Sequence, residues 1–150
     1  MSMDVLLLGS GGREHAMAWQ IAKSPLLGKL YTAPGNAGTA TLGENIEDVA
    51  ANDIEGVVVL AKRLNVELVI VGPEDPLAAG IVDRLAVEGI RAFGPSAAAA
   101  EIESSKAFAK SIMASAGIPT AEARIFNDPT EAKRYARTVA DTLGPPVIKA

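Results

Sequence analysis

The 150-residue chain is 49% apolar and 21% charged, which excludes a disordered polymer and allows one domain with a core plus part of another. Its net charge of −4 comes with scattered basic residues that form no nucleic-acid footprint, and the absence of cysteine excludes disulfides and thiolate metal sites. The leading apolar run is only four residues long and follows Asp4, so it is neither a signal peptide nor a membrane span, and a cytoplasmic protein is expected.

Val5-Leu6-Leu7-Leu8 reads as a strand buried on both faces, as in a parallel sheet. Gly9, Gly11 and Gly12 then allow a sharp turn and a close approach to a ligand. From Arg13 to Lys23 the residues favour a helix, whose free N–H groups and dipole would suit a phosphate at its start. A dinucleotide site is the usual expectation from strand, glycine turn and helix, but two details oppose it. Glu14 stands where that fingerprint needs a small residue, and the second strand, Lys29–Ala33, runs into Pro34-Gly35-Asn36-Ala37-Gly38 instead of an acidic residue. The loop therefore reads as a phosphate holder, but not for NAD.

Residues 34–45 lack any period and read as a functional loop over the strand ends. Asp53 is the expected N-cap of a helix over Ile54–Leu64, closed by a left-handed Asn65. Leu68–Val71 is a further buried strand ending in Gly72-Pro73-Glu74-Asp75-Pro76. A helix over Leu77–Glu88, stopped by Gly89, and a strand over Ile90–Phe93 follow. The alternation predicts an α/β domain over residues 1–95, a doubly wound parallel sheet with ligands beyond the carboxyl ends of its strands.

After Pro95 the chain turns alanine-rich. Helical pieces are expected over Ala97–Ile102 and Lys106–Ala116, a strand over Ala123–Phe126, and a helix from Pro129 to about Thr142 capped by Asp128. A strand over Val147–Ala150 would then be cut off at its last residue, so the chain is expected to be the N-terminal piece of a longer protein, with residues 96–150 beginning a second domain.

Arg13 beside the glycine loop suits a phosphate, although arginine in a first helical turn is often merely solvated. Glu14 gains from the helix dipole whatever its function. His15, the single histidine, cannot form an ordinary zinc site and is expected to pack or bond locally. Asp75 is explained as an N-cap with Pro76 at the first helical position; Glu74 is left unexplained and reads as an acceptor for sugar hydroxyls or an amine. Lys106 opens a helix against the dipole, and Lys149 interrupts an apolar run, so each is either solvated or aimed at an anion.

Leu8-Gly9-Ser10-Gly11-Gly12-Arg13-Glu14-His15-Ala16, Pro34–Gly38 and Val71-Gly72-Pro73-Glu74-Asp75-Pro76-Leu77 carry a resemblance. Phe93-Gly94-Pro95, Ser105–Lys110, Gly117-Ile118-Pro119-Thr120 and Pro146–Ala150 extend it in family order. Together they resemble the glycinamide ribonucleotide synthetase (phosphoribosylamine–glycine ligase) family of the ATP-grasp superfamily. The resemblance implies a Rossmann-like pre-ATP-grasp domain followed by the start of an α+β ATP-grasp domain. It implies ligation of glycine to 5-phosphoribosylamine through glycyl phosphate, a step of purine biosynthesis that consumes ATP with magnesium or manganese. Gly9, Gly11, Gly12, Arg13 and Glu14 would face the ribose phosphate, and Glu74 with Asp75 the ribose hydroxyls or the amine. Lys106 and Lys149 would serve ATP. No enzymic nucleophile and no metal ligand is expected in this chain, nor a nucleic-acid or membrane partner, and alone it is expected to be inactive and to hold no tightly bound cofactor. The alternatives are a sibling ATP-grasp ligase or carboxylase, a nicotinamide-dependent oxidoreductase domain, and a non-catalytic binding module.

Overall fold

Val5 to Leu8 are almost inaccessible to solvent, and their strand, β1 (Met3–Gly9), is the central one of a five-stranded sheet. The computed structural model describes residues 2–149, and the chain divides after Lys106 into two compact units. In the first unit β1 is flanked by β2 (Leu27–Pro34) and β4 (Leu68–Val71), with β3 (Glu44–Asn45) and β5 (Ala92–Phe93) outermost. The order is β3-β2-β1-β4-β5 and every pairing is parallel, with Leu8 opposite both Ala33 and Val71. Both faces are covered, which is why β1 is a continuous apolar run instead of an alternating one. Val5 and Leu7 pack with Ala18 of α1 (Gly12–Ile21), whereas Leu6 and Leu8 pack with Val57, Leu60 and Ala61 of α2 (Ile54–Leu64). Burying each leucine stabilises the fold by about 1.5–3 kcal/mol.

The doubly wound parallel sheet and the bounds of α2 are as expected: Asp53 accepts from the Gly56 N–H at 3.0 Å, and Asn65 is left-handed at φ 52°. The single helix expected over Leu77–Glu88 is instead two, α3 (Glu74–Ala78) and α4 (Ile81–Val87). Gly80 between them takes φ 89°, which no helix interior tolerates. The first turn consequently starts earlier. Pro73 is the N-cap, and Asp75 lies inside α3 and caps nothing, contrary to expectation. The two-residue β3 was not foreseen, since it is recognisable only through its pairing with Tyr31 and Thr32.

The first unit continues past residue 95. Ser96 caps α5 (Ala97–Ser104), and the Ala97 N–H donates to Asp83 Oδ2 of α4 at 2.8 Å. The second unit carries the rest of α6 (Lys106–Ser115) and α7 (Pro129–Leu143). Asp128 caps α7 through the Thr130 N–H at 2.8 Å, with Pro129 opening the helix as expected. The strands expected over Ala123–Phe126 and Val147–Ala150 are absent among the described residues, and Ala150 lies outside them. Apolar composition alone does not make a strand: its N–H and C=O groups need a neighbouring edge, and the second unit offers none among its described residues.

Candidate functional site

The strand order reverses between β1 and β4, and the carboxyl ends of these strands frame a cleft of about 270 Å³. Gly9, Ser10, Gly11 and Glu14 contribute one part of its lining and Pro34 and Pro73 another. Ala50, Ala51 and Asn52, from the loop before α2, complete it. Crevices beyond the strand ends at such a reversal are where sheets of this kind bind ligands.

The glycine loop is shaped around Glu14. This carboxylate is only 3% exposed, and its Oε2 accepts from the Gly11 N–H at 2.8 Å. A Cβ on Gly9 would come within 2.6 Å of Glu14 Cγ, one on Gly11 within 2.9 Å of Oε2, and one on Gly72 would strike Oε1. Three glycines from two strand ends thus make the slot in which Glu14 sits. The fingerprint's small residue is not needed at this position, because the space beneath the loop is filled from within the chain. Gly12 differs: a Cβ there would meet nothing, so its missing side chain leaves the head of α1 open.

Arg13 lies outside the slot and is half exposed. Its Nε donates to Glu14 Oε1 at 2.9 Å and its Nη2 to Glu74 Oε2 at 3.2 Å. Bonds to Glu14 and then to Glu74 raise the guanidinium above its ordinary pKa. The Glu74 carboxyl is held below the usual carboxylate range by its own backbone N–H and then by Arg13. Glu74 therefore carries a full charge in this pair. Arg13, Glu74, Asp75 and Gly12 are not part of the cleft lining, so the structure brings Gly9, Gly11 and Glu14 to the cleft and sets the Arg13–Glu74 pair beside it.

A network that sequence reasoning did not single out ties the 34–45 loop to the glycine loop. Asn36 Nδ2 donates to the carbonyls of Ser10 at 2.9 Å and Gly11 at 3.1 Å. Its Oδ1 accepts from the N–H groups of Gly38 and Thr39 at 2.8 and 3.0 Å. Buried Thr39 in turn donates to Asn45 Oδ1 at 2.8 Å. The available signal was an asparagine opening a glycine-containing turn, with threonine three residues on. His15 packs against Gly38, where an added Cβ would come within 2.5 Å of its ring, in line with its expected local role.

The two candidate ATP lysines are both exposed. Lys106 opens α6 and Lys149 lies beyond α7 outside any regular element. Neighbouring Lys110 is committed within the second unit, donating to Thr120 Oγ1 at 2.7 Å and the Ala121 carbonyl at 2.6 Å. Among the described residues no group of three or more His, Cys, Asp or Glu side chains is placed to hold a metal ion. Among the same residues no helix is long and apolar enough to cross a membrane.

The parallel order, the reversal between β1 and β4 and the glycine loop at that point define the class: a doubly wound α/β domain whose cleft lies at the strand ends. Residues 3–103 match the family described as phosphoribosylglycinamide synthetase, N domain, and the chain belongs to that family. It is 53% identical over 148 residues to a phosphoribosylamine–glycine ligase of Mesorhizobium japonicum, covering 99% of this chain and 34% of that protein. A Brucella melitensis ligase of the same name is 49% identical over 148 residues, with the same coverage. The chain thus spans about a third of the length of the curated relatives it matches. The crystal structure of phosphoribosylamine–glycine ligase from Thermotoga maritima superposes with a TM-score of 0.65 at 29% identity, over 90% of this chain and 30% of that one. The N5-carboxyaminoimidazole ribonucleotide synthetase of the same organism shares the fold, with a TM-score of 0.67 at 19% identity over 89% of this chain and 36% of its own.

Proposed function

We propose that this chain is the N-terminal part of a cytoplasmic phosphoribosylamine–glycine ligase, contributing the sugar-phosphate side of its active site. The observation that carries this reading is the glycine loop lining a cleft at the β1–β4 reversal, in a chain 53% identical to a ligase of that name. Gly9, Gly11 and Gly12 present backbone to the phosphate end of phosphoribosylamine, with Arg13 as the adjacent cation. Glu14 shapes the loop from beneath, and Glu74, with Asp75 next to it, receives the ribose hydroxyls or the amine.

The reaction joins the glycine carboxyl carbon to the amine nitrogen of phosphoribosylamine, with loss of an amine proton and conversion of ATP to ADP and phosphate. Bound ATP would supply the phosphoryl group that activates the glycine carboxylate as an acyl phosphate, from which phosphate departs as the amine attacks the acyl carbon. This chain's contribution is to hold the nucleophile: a positioned amine attacks far faster than a free one, so catalysis here is orientation and charge placement. Lys106 and Lys149, two exposed ammonium groups, fit the chemistry of a polyphosphate.

The full-length protein should form ADP only when both glycine and phosphoribosylamine are present, and the 150-residue chain alone should form none. ADP release by the full-length protein that ignores phosphoribosylamine would overturn the assignment. Glycine-dependent hydrolysis by the short chain would overturn the claim that it is inactive alone.

A further inference from the structure

We infer that Asn36 is a positioning residue, whose side-chain amide clamps the Ser10 and Gly11 carbonyls and so turns the opposing N–H groups of the glycine loop toward the sugar phosphate; this rests on the reading just proposed. A peptide unit is planar and trans, so its C=O and the following N–H point in opposite directions. The Gly9 carbonyl accepts from the Gly35 N–H at 3.1 Å. The Ser10 and Gly11 carbonyls accept from Asn36 Nδ2, and the Gly11 carbonyl accepts as well from the His15 N–H of α1 at 3.1 Å. Three successive carbonyls thus face residues 35 and 36, and the N–H groups of Ser10, Gly11 and Gly12 face away from them. Glu14 takes the Gly11 N–H, which leaves Ser10 and Gly12 as the donors on the exposed side. The N–H groups of Ser10 and Gly12, on either side of the bonded one, stand at the start of α1, where free donors and the positive end of the dipole suit an anion.

Asn36 cannot swing away from this duty. Its own N–H donates to Thr39 Oγ1 at 2.8 Å, and its carbonyl accepts from Asn45 Nδ2 at 2.8 Å. The side chain does two separable jobs: its oxygen folds the local turn through Gly38 and Thr39, and its nitrogen grips the glycine loop.

Asn36→Asp separates them. The substitution keeps the acceptor for the turn but places an acceptor oxygen against the Ser10 and Gly11 carbonyls, where repulsion would turn those peptides. In the full-length protein the dissociation constant for ribose 5-phosphate should rise about tenfold or more, the worth of one or two well-placed hydrogen bonds. ATP affinity should stay near wild type, and a residue needed only for the turn would leave ribose 5-phosphate affinity unchanged. Wild-type affinity in Asn36→Asp overturns the inference while leaving the sugar-phosphate reading intact. If the wild-type protein binds no ribose 5-phosphate, both fall. Should the variant fail to fold, amide NMR of the wild-type protein decides: the Ser10 and Gly12 N–H resonances must shift on titration with ribose 5-phosphate, and their failure to move overturns the inference.

Discussion

Glu14 depends on three side chains that are missing around it. A carboxylate this deeply buried is costly unless its lone pairs are satisfied, and here the Gly11 N–H and Arg13 Nε supply the donors. The sequence marks Glu14 as the residue that spoils a dinucleotide fingerprint. It does not say why, because the third wall of the slot is Gly72, brought in from the end of β4. Gly72 has no positive φ, so alanine there is sterically excluded by Glu14 and not by its backbone. Gly72→Ala should therefore cost about 1–3 kcal/mol of stability by overpacking. In a Glu14→Ala background the same substitution should cost much less, since the obstruction has gone. Urea unfolding of the two single variants, the double variant and the wild type closes the cycle, and additive costs would show that the two positions do not meet. Asn36 is the complementary case at this scale. It was legible as a turn former, but its partners, the carbonyls of Ser10 and Gly11, are backbone groups that no side-chain pattern advertises.

At the scale of elements, legibility followed how local the determinants are. α2 was placed residue for residue because its cap, its apolar face and its left-handed closure lie within the helix or beside it. The helix expected across Gly80 failed on a single glycine, whose left-handed φ divides it into α3 and α4. The expected strands at 123–126 and 147–150 rested on composition alone, and a strand is a relation between two segments. Charges also join elements that sequence leaves separate. Arg84 of α4 bonds Glu55 of α2 at 2.8 Å and, one turn on, Glu88 at 2.6 Å, while Lys62 of α2 reaches the same Glu88. Lys62 first, and Arg84 next, hold the Glu88 carboxyl below its usual pKa. A carboxyl lowered in the folded state adds stability that is full above its unfolded value, about 4.3, and is lost as pH falls through the folded one. Melting temperatures measured from pH 7 down to pH 3 should therefore fall less steeply below about pH 4 in Glu88→Gln than in the wild type. The difference should shrink in high salt, because exposed charges are screened. Identical acid slopes would dismiss the network.

Across the whole molecule, the two units differ in what holds them. The first owns the sheet and both apolar clusters, with Leu6, Leu7, Ile81 and Leu85 wholly buried. Its fold class was readable from the alternation of strands and helices, because burial on both faces of a parallel sheet leaves an unbroken apolar run at each central strand. The second unit keeps only Ala109 buried among its described residues, and no residue of α7 is buried. Leu143, Val147 and Ile148 are each 81% exposed. Helices without a packed face depend on local propensity and caps, which are marginal in water at the length of α7. Local contacts such as Phe126 against Tyr135, with ring centroids 5.3 Å apart, add little to that. Opening of α7 should therefore require far less free energy than opening of β1 or β4, and the two should not be coupled. In hydrogen exchange on the 150-residue chain, α7 amides should exchange at least about 100-fold faster than those of Leu6 to Leu8, which should exchange only through global unfolding. Raising urea below the main transition should accelerate α7 exchange while leaving the β1 amides unchanged. Equal protection in α7 and β1 would mean that the second unit unfolds together with the sheet, and that exposed apolar side chains are a poor guide to where this chain opens first.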